Sequence, residues 1–261
     1  MPIIQSVERA LRIMNLFDEH TKELKITEIS SLLGLNKSTV HSLLKTLISY
    51  NYIEQDMETG KYKLGMKLFE RGNVVAHGLD LRGVAKKYLN ELSTKTGHTL
   101  HLVVLSGKEG VYIDKVSGTS ATIVYSRIGK RIPLHSSGVG KVLLAYKEER
   151  EIADILKDYH YVKQTENTIT NEHDFKKELQ KVKEQGFAMD DEENEPGVCC
   201  VAVPVRNHSG EVIAAVSLSM PEPRAKTEEL DQVIEYMKDL SSNVSTELGY
   251  DSLKFGKASH L

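Results

Sequence analysis

Apolar positions recur at helical spacing through the N-terminal quarter of the chain and shift toward a period of two beyond Gly97, so two kinds of architecture follow one another. Val7, Leu11, Met14, Leu16 and Phe17 predict a first helix over residues 7–17, with Ser6 as its N-cap. Thr27 is the expected N-cap of a second, short helix whose stripe is Ile29, Leu32 and Leu33 and which ends at Gly34. Glycine takes positive φ without a Cβ clash, so Gly34 allows a sharp turn through Leu35 into a third helix starting at Asn36 or Lys37. Val40, Leu43, Leu44 and Leu47 form the buried side of that helix. Lys37, Ser38, Thr39, His41, Ser42 and Lys45 lie toward its outward side. This is a helix-turn-helix layout.

Two β-prone segments, 52–55 and 61–64, enclose a polar turn ending in Gly60 and predict a hairpin. Next to a helix-turn-helix such a hairpin is a wing, which would bring Lys61 and Lys63 to phosphates. Helical patterns at 68–77 and 81–96 are separated by Gly78 and a candidate N-cap, Asp80. Strand patterns follow in "HTLHLVVLS", "GVYIDKVSG", "ATIVYSRIG", "GFAMDDE", "VCCVAVPVRN" and "EVIAAVSLSM", interrupted by helices at 139–145, 149–158 and 174–185 and closed by one at 227–248. The fold class is α+β, with a largely antiparallel sheet. The expected division is a winged helix-turn-helix over 1–66, a linker helix over 67–79 and a larger domain over 80–261.

Charge changes the picture in one respect. The chain has a formal net charge of -3 and a sequence pI near 6.4, and eight basic residues balance eight acidic ones between Met1 and Gly65. Any nucleic-acid surface must therefore be local. The opening "MPIIQSVERALRIM" sets Glu8, Arg9 and Arg12 among its apolar positions, which fits neither a secretory signal nor a membrane span; a cytoplasmic protein with no membrane partner is expected.

The outward residues of the third helix, Asn36, Lys37, Ser38, Thr39, His41, Ser42 and Lys45, offer amide, hydroxyl and ammonium groups at a helix N-terminal end. Such groups reach phosphates and major-groove base edges, and the helix dipole favours the phosphate charge. One module spans few base pairs, so a homodimer on a (pseudo)palindromic double-stranded operator is expected.

Catalytic signals are missing. "HSSGVGKVLL" approaches a phosphate loop, but His135 and Val142 stand where glycine and Ser or Thr are required. There is no G-x-S-x-G elbow and no H-E-x-x-H, so an enzyme is not expected. The amides of Gly138 to Gly140 could bind a carboxylate, or the segment could be a plain capped helix packed on the sheet; the residues alone leave both open. His98, His101 and His135 fall on separate elements, and Cys199 and Cys200 are adjacent and read as free thiols, so no metal and no cofactor are expected.

Taken together, "QSVERALRIMNLF", "LGLNKSTVHSLLKTL", "YKLGMKL", "RIPLHSSGVGKVLLA", "DDEENEPGVCCVAVPV" and "IAAVSLSMP" resemble the IclR family of bacterial transcription regulators, over residues 5–248. The resemblance implies an N-terminal winged helix-turn-helix, a linker helix that helps dimerisation, a GAF-like effector domain, and dimers or tetramers on DNA. It also implies an effector pocket at Gly138, Val139, Asp190, Cys200, Ser217 and Ser219, with Ala121 as an apolar wall. Cys199 departs from the basic residue often found there, and is expected to point away from Cys200. Asp190 is awkward beside an anion and suits a ligand hydroxyl, which favours a hydroxylated or sugar acid over other small organic acids. The expected function is a ligand-responsive transcription regulator, a repressor rather than an activator. The rivals are a small-molecule sensor acting on a protein partner, with the winged helix serving dimerisation, and an enzyme in the C-terminal domain.

Overall fold

The computed structural model describes residues 3–18, 20–77, 80–119, 126–222 and 229–251. The chain divides into two compact units, Met1–Leu79 and Asp80–Leu261.

The first unit runs α1 (Gln5–Met14), α2 (Ile26–Leu33), α3 (Lys37–Ser49), β1 (Ile53–Gln55), β2 (Tyr62–Leu64) and α4 (Lys67–His77), a winged helix-turn-helix followed by a further helix. Its core is Ile13, Ile29, Val40, Leu44 and Ile53, with Phe17, Leu24 and Tyr62 around them. Three expectations change here. Helix α1 starts at Gln5 with no side-chain cap, so Ser6 lies inside it. Its buried residue is Ile13, while Val7 and Leu11 are 53% and 51% exposed: the first two turns of the periodic stripe lie off this unit's core, and only its end, Met14, Leu16 and Phe17, packs into it. Helix α2 starts one residue before Thr27, where the Lys25 N–H donates to Glu28 Oε2 at 2.6 Å, and Leu32 is 61% exposed. Gly34 takes φ 63° as expected, and the Leu35 N–H closes the turn onto the Ser30 carbonyl at 3.1 Å. In α3, Val40, Leu44 and Leu47 are buried and Leu43 is half-buried. Strands β1 and β2 pair antiparallel in the register Ile53↔Leu64, Glu54↔Lys63, Gln55↔Tyr62. Leu24 bridges to Tyr62 on the other side, so the hairpin is tied to the segment before α2.

The second unit contains α5 (Asp80–Thr96), β3 (Thr99–Ser106), β4 (Glu109–Val116), β5 (Arg131–Pro133), α6 (Gly138–Ala145), α7 (Glu149–Leu156), α8 (Glu172–Gln185), β6 (Ala188–Asp191), β7 (Val198–Arg206), β8 (Val212–Pro221) and α9 (Glu229–Glu247). Six strands form one antiparallel sheet in the order β5-β4-β3-β8-β7-β6. This is the α+β, GAF-like architecture. Of the expected strand "ATIVYSRIG", residues 121–125 lie outside the described residues and Ser126 to Gly129 belong to no strand; the strand that pairs with β4 is β5. Helix α7 stops at Leu156, and α8 begins at Glu172 because the Asn171 side chain accepts from the Asp174 N–H at 2.9 Å.

Period-two alternation divides the sheet's faces chemically. Leu100, Leu102, Val201, Val203, Val216 and Leu218 pack with Leu89 of α5 and Met237 of α9 in one core. On the other face Val103, Ala188, Ala202 and Ala215 meet Val139 and Leu143 of α6 and Phe175 and Leu179 of α8. All of α6 is buried. It approaches the turn before it so closely that a Cβ on Gly140 would lie 2.4 Å from Leu134 Cα and 2.5 Å from its carbonyl oxygen. Lys141, also fully buried, donates to the Met189 carbonyl at 2.7 Å and to Glu193 Oε1 at 2.5 Å.

Gly140→Ala weighs helix propensity, worth up to about 1 kcal/mol in favour of alanine, against overpacking into backbone that cannot rotate away, at about 1–3 kcal/mol or more. The clash is with main chain, so it wins: urea unfolding should show a net loss of about 1–2 kcal/mol.

Candidate functional site

On the first unit the surface of interest is α3. Asn36, Lys37, Ser38, His41, Ser42 and Lys45 are exposed and Thr39 is half-buried. The helix contains no carboxylate, and among the described residues no acid pairs with Lys37 or Lys45. The Asn36 side chain makes no capping bond, which leaves the first-turn N–H groups to outside acceptors at the positive end of the helix dipole. Ser42 donates its hydroxyl to the Ser38 carbonyl at 3.1 Å, so its oxygen remains free to accept. The wing lysines are differently placed: Lys61 lies 3.5 Å from Glu23, and Lys63 lies 3.5 Å from Glu54.

The second unit carries a partly open cavity of about 430 Å³ between the sheet and the start of α6. Strand register builds its floor. Asp190, Cys200, Ser219 and Thr99 form one cross-strand row, and Ala188, Ala202, Ser217 and His101 the next row on the same face. Large aliphatics fill the opposite face, whereas small and polar residues on this one leave space beside α6. Six of the seven candidate residues, Gly138, Val139, Asp190, Cys200, Ser217 and Ser219, line the cavity together. Ala121 lies outside the described residues.

At the helix end, Ser137 Oγ accepts from the Gly140 N–H at 3.1 Å and donates to the Pro133 carbonyl. Gly140 is thereby removed from the expected set of anion-binding amides, and Gly138 and Val139 remain. Cys200 Sγ and Ser219 Oγ are 3.2 Å apart. Cys199 turns to the other face and donates to Asp191 Oδ1, so the two adjacent thiols point apart as alternation requires.

The cavity also gathers residues that the sequence does not mark as pocket groups: Tyr112, Ser126, Gln164, Asn194 and His101. Ring and hydroxyl meet where His101 Nε2 lies 2.8 Å from Ser126 Oγ, and the imidazole lies 5.0 Å from the Tyr112 ring. Asn194 comes from the 192–197 loop, which is held from several sides. Asp190 Oδ1 accepts from the N–H groups of Glu193 and Asn194 at 2.8 and 3.2 Å, Thr168 donates to the Glu193 carbonyl, and Ser136 donates to Asn194 Oδ1.

Burial dominates the electrostatics. Asp190 is 4% exposed, and desolvation pushes its carboxyl up to about 7 in spite of the two N–H bonds and the Lys141 ammonium. His101 is driven down to about 3 by burial and, less strongly, by Lys115, so at neutral pH it is an uncharged imidazole. Cys200 and Tyr112 are pushed upward, chiefly by desolvation. The lining therefore combines neutral donors and acceptors and one buried carboxyl that can exist in either state with the charged Lys130, Arg131 and Glu195. His135 is occupied elsewhere, bonded to Tyr159 and the Val162 carbonyl, and among the described residues no group of His, Cys, Asp and Glu could hold a metal ion.

Comparison with known proteins identifies the family of both units. Residues 6–57 match the IclR helix-turn-helix domain, and residues 73–246 match the C-terminal domain of bacterial transcriptional regulators of the IclR type. The HTH-type transcriptional regulator XynR of Escherichia coli is 52% identical over 250 residues, 96% of this chain and 99% of that protein. The regulator KdgR of the same organism is 37% identical over 252 residues, 97% of this chain and 95% of that protein. The crystal structure of the Thermotoga maritima IclR superposes with a TM-score of 0.76 at 32% identity, covering 94% of this chain and 99% of that one. With both units matched in order and nearly the whole length aligned, the chain belongs to the IclR family of bacterial transcriptional regulators.

Proposed function

We propose that this protein is a DNA-binding repressor, acting in the cytoplasm as a homodimer or tetramer on a (pseudo)palindromic operator, whose cavity takes a small hydroxylated organic acid that lowers operator affinity. The observation that carries the DNA reading is the outward face of α3, a helix without carboxylates, where Lys37, His41 and Lys45 are exposed and the first-turn amides are open. In this reading Asn36, Ser38, Thr39 and Ser42 supply the remaining polar contacts, flanked by the wing with Lys61 and Lys63.

The cavity reading rests on its chemistry. A carboxylate fits at the Gly138 and Val139 amides, and Ser217, Ser219, His101 and Asn194 present more hydrogen-bonding groups than an apolar ligand could satisfy. Asp190 faces the same space, and a protonated Asp190 can donate to the ligand without repelling its charge. A sugar acid meets these demands. Ser126 lies beside the His101 imidazole, but a ring held at about 3 is too weak a base to activate a hydroxyl at neutral pH, which favours binding over catalysis. A ligand that prefers a dimer geometry misfitted to the operator must weaken DNA binding by the same factor by which DNA weakens ligand binding.

Three measurements test these roles. Lys37→Ala should flatten the dependence of log affinity on log salt by roughly 0.9 for each phosphate that is no longer neutralised, measured on the operator recovered by selection from random duplexes. Ser217→Ala combined with Ser219→Ala should lower affinity for hydroxylated acids, screened by thermal shift, by about 5- to 150-fold, each hydrogen bond removed being worth about 0.5–1.5 kcal/mol. Ligand-free operator binding should persist. For Asp190 the sign follows from its elevated pKa: the folded state holds the proton more tightly than the unfolded one, so this stabilisation is full below pH about 4 and is lost as pH rises through about 7. Asp190→Asn keeps the acceptor for the two N–H groups but cannot ionise. It should match the native protein at pH 4 and exceed it by roughly 2–4 kcal/mol at pH 8 in denaturant unfolding.

A further inference from the structure

The two surfaces of the DNA-binding unit differ in charge in a way the strand register enforces. Between Glu54 and Lys63 the hairpin carries three acids, Glu54, Asp56 and Glu58, against two lysines, while α3 carries none. Glu54 and Lys63 are direct cross-strand partners in the hairpin, and Glu54 Oε1 also accepts from the Met66 N–H at 3.2 Å. Glu23 stands beside Lys61 because its neighbour Leu24 pairs with Tyr62 through two backbone bonds, 3.0 and 2.8 Å long. At the tip, Asp56 Oδ1 accepts from the N–H groups of Glu58 and Thr59, which fixes a carboxylate there and holds it below the usual range. Backbone pairing thus sets an acid next to each wing lysine. Both pairs are roughly 40% exposed, so a phosphate can reach the ammonium groups only in competition with Glu23 and Glu54.

We infer that Glu23 and Glu54 are specificity-determining residues of the DNA interface: held beside Lys61 and Lys63 by the strand register, they cancel the wing's charge and suppress sequence-independent binding to duplex DNA. Sequence-independent affinity comes almost wholly from neutralised phosphates, whereas base reading comes from side chains in the groove. Muting the wing while leaving α3 positive lowers the first and spares the second, which raises the ratio between them. This rests on the DNA-binding reading above, and deepens it by assigning discrimination to two acids that act through the lysines they neutralise.

The test is a salt titration with a random-sequence duplex of about 30 base pairs, long enough for nonspecific phosphate contacts, comparing the native chain with a Glu23→Gln, Glu54→Gln double variant. The amide introduced at position 54 keeps an oxygen for the Met66 N–H, and an unchanged melting temperature verifies the fold. The double variant should bind roughly tenfold more tightly at low salt, with a slope steeper by roughly two units per subunit, about 0.9 for each lysine released to a phosphate. Lys61→Ala with Lys63→Ala should abolish that gain in the double-variant background and change the native slope much less. A double variant whose affinity and slope equal those of the native chain, in a protein whose slope still responds to Lys37→Ala, overturns the wing inference alone. Absence of salt-dependent duplex binding by both proteins overturns it together with the DNA-binding reading.

Discussion

The alternation along β3, β7 and β8 is the constraint on which the second unit depends. Every second residue, Leu100, Leu102, Val201, Val203, Val216 and Leu218, is a large aliphatic that packs beneath α5 and α9. Each such side chain contributes about 1.5–3 kcal/mol on full burial. The intervening positions, His101, Cys200, Ala202, Ser217 and Ser219, forgo that gain by being small or polar, and the space they leave becomes the cavity. A one-residue slip in any of these strands would exchange the two sets and remove core and cavity together. Stability on one face is what permits an open, hydrogen-bonding surface on the other.

The loop beside the cavity is tied to α6 by a buried ion pair. Lys141 reaches from α6 to Glu193 and the Met189 carbonyl, and burial raises the Glu193 carboxyl even with that ammonium beside it. Pairs of this kind add little net stability over an apolar substitute, because desolvation offsets most of the Coulomb attraction. Their contribution is positional. Glu193 sits next to Asn194, and both N–H groups anchor on Asp190, so the loop that walls the cavity is referenced to α6 and to the sheet edge at once.

Much of this was legible in the sequence, and the exceptions share a cause. Gly34 between two amphipathic stretches, the polar run from Asn36 to Lys45 and the Gly60 turn are local signals, and they located α2, α3 and the hairpin. The pocket candidates came through family resemblance, and six of them do converge on one cavity. His101, Tyr112 and Asn194 escaped as pocket groups because only the register of β3 against β4 and β8, and the loop anchored on Asp190, bring them there. The exposed Val7, Leu11 and Leu32 were misplaced for the complementary reason: periodicity identifies an apolar stripe but not what covers it. Lys61 and Lys63 looked available because neither the cross-strand pairing of Glu54 nor the Leu24–Tyr62 bridge that brings up Glu23 is visible in a linear reading.

The proposed coupling can be weighed against what the cavity offers. A ligand that lowers operator affinity about a hundredfold must prefer one state of the dimer over the other by about 2.7 kcal/mol. A buried hydrogen bond contributes about 0.5–1.5 kcal/mol, so two or three contacts that differ between the states suffice. Contacts to the sheet floor, Ser217 and Ser219, are poor carriers of such a difference, since the central strands are fixed by pairing on both sides. Contacts to the 192–197 loop are better carriers. That loop is held by side-chain bonds to Asp190, Lys141, Thr168 and Ser136 rather than by a continuous ladder, and a ligand that bonds Asp190 or Asn194 competes directly with them. Floor residues would then set how tightly a ligand binds, and the loop how much of that binding energy reaches the DNA.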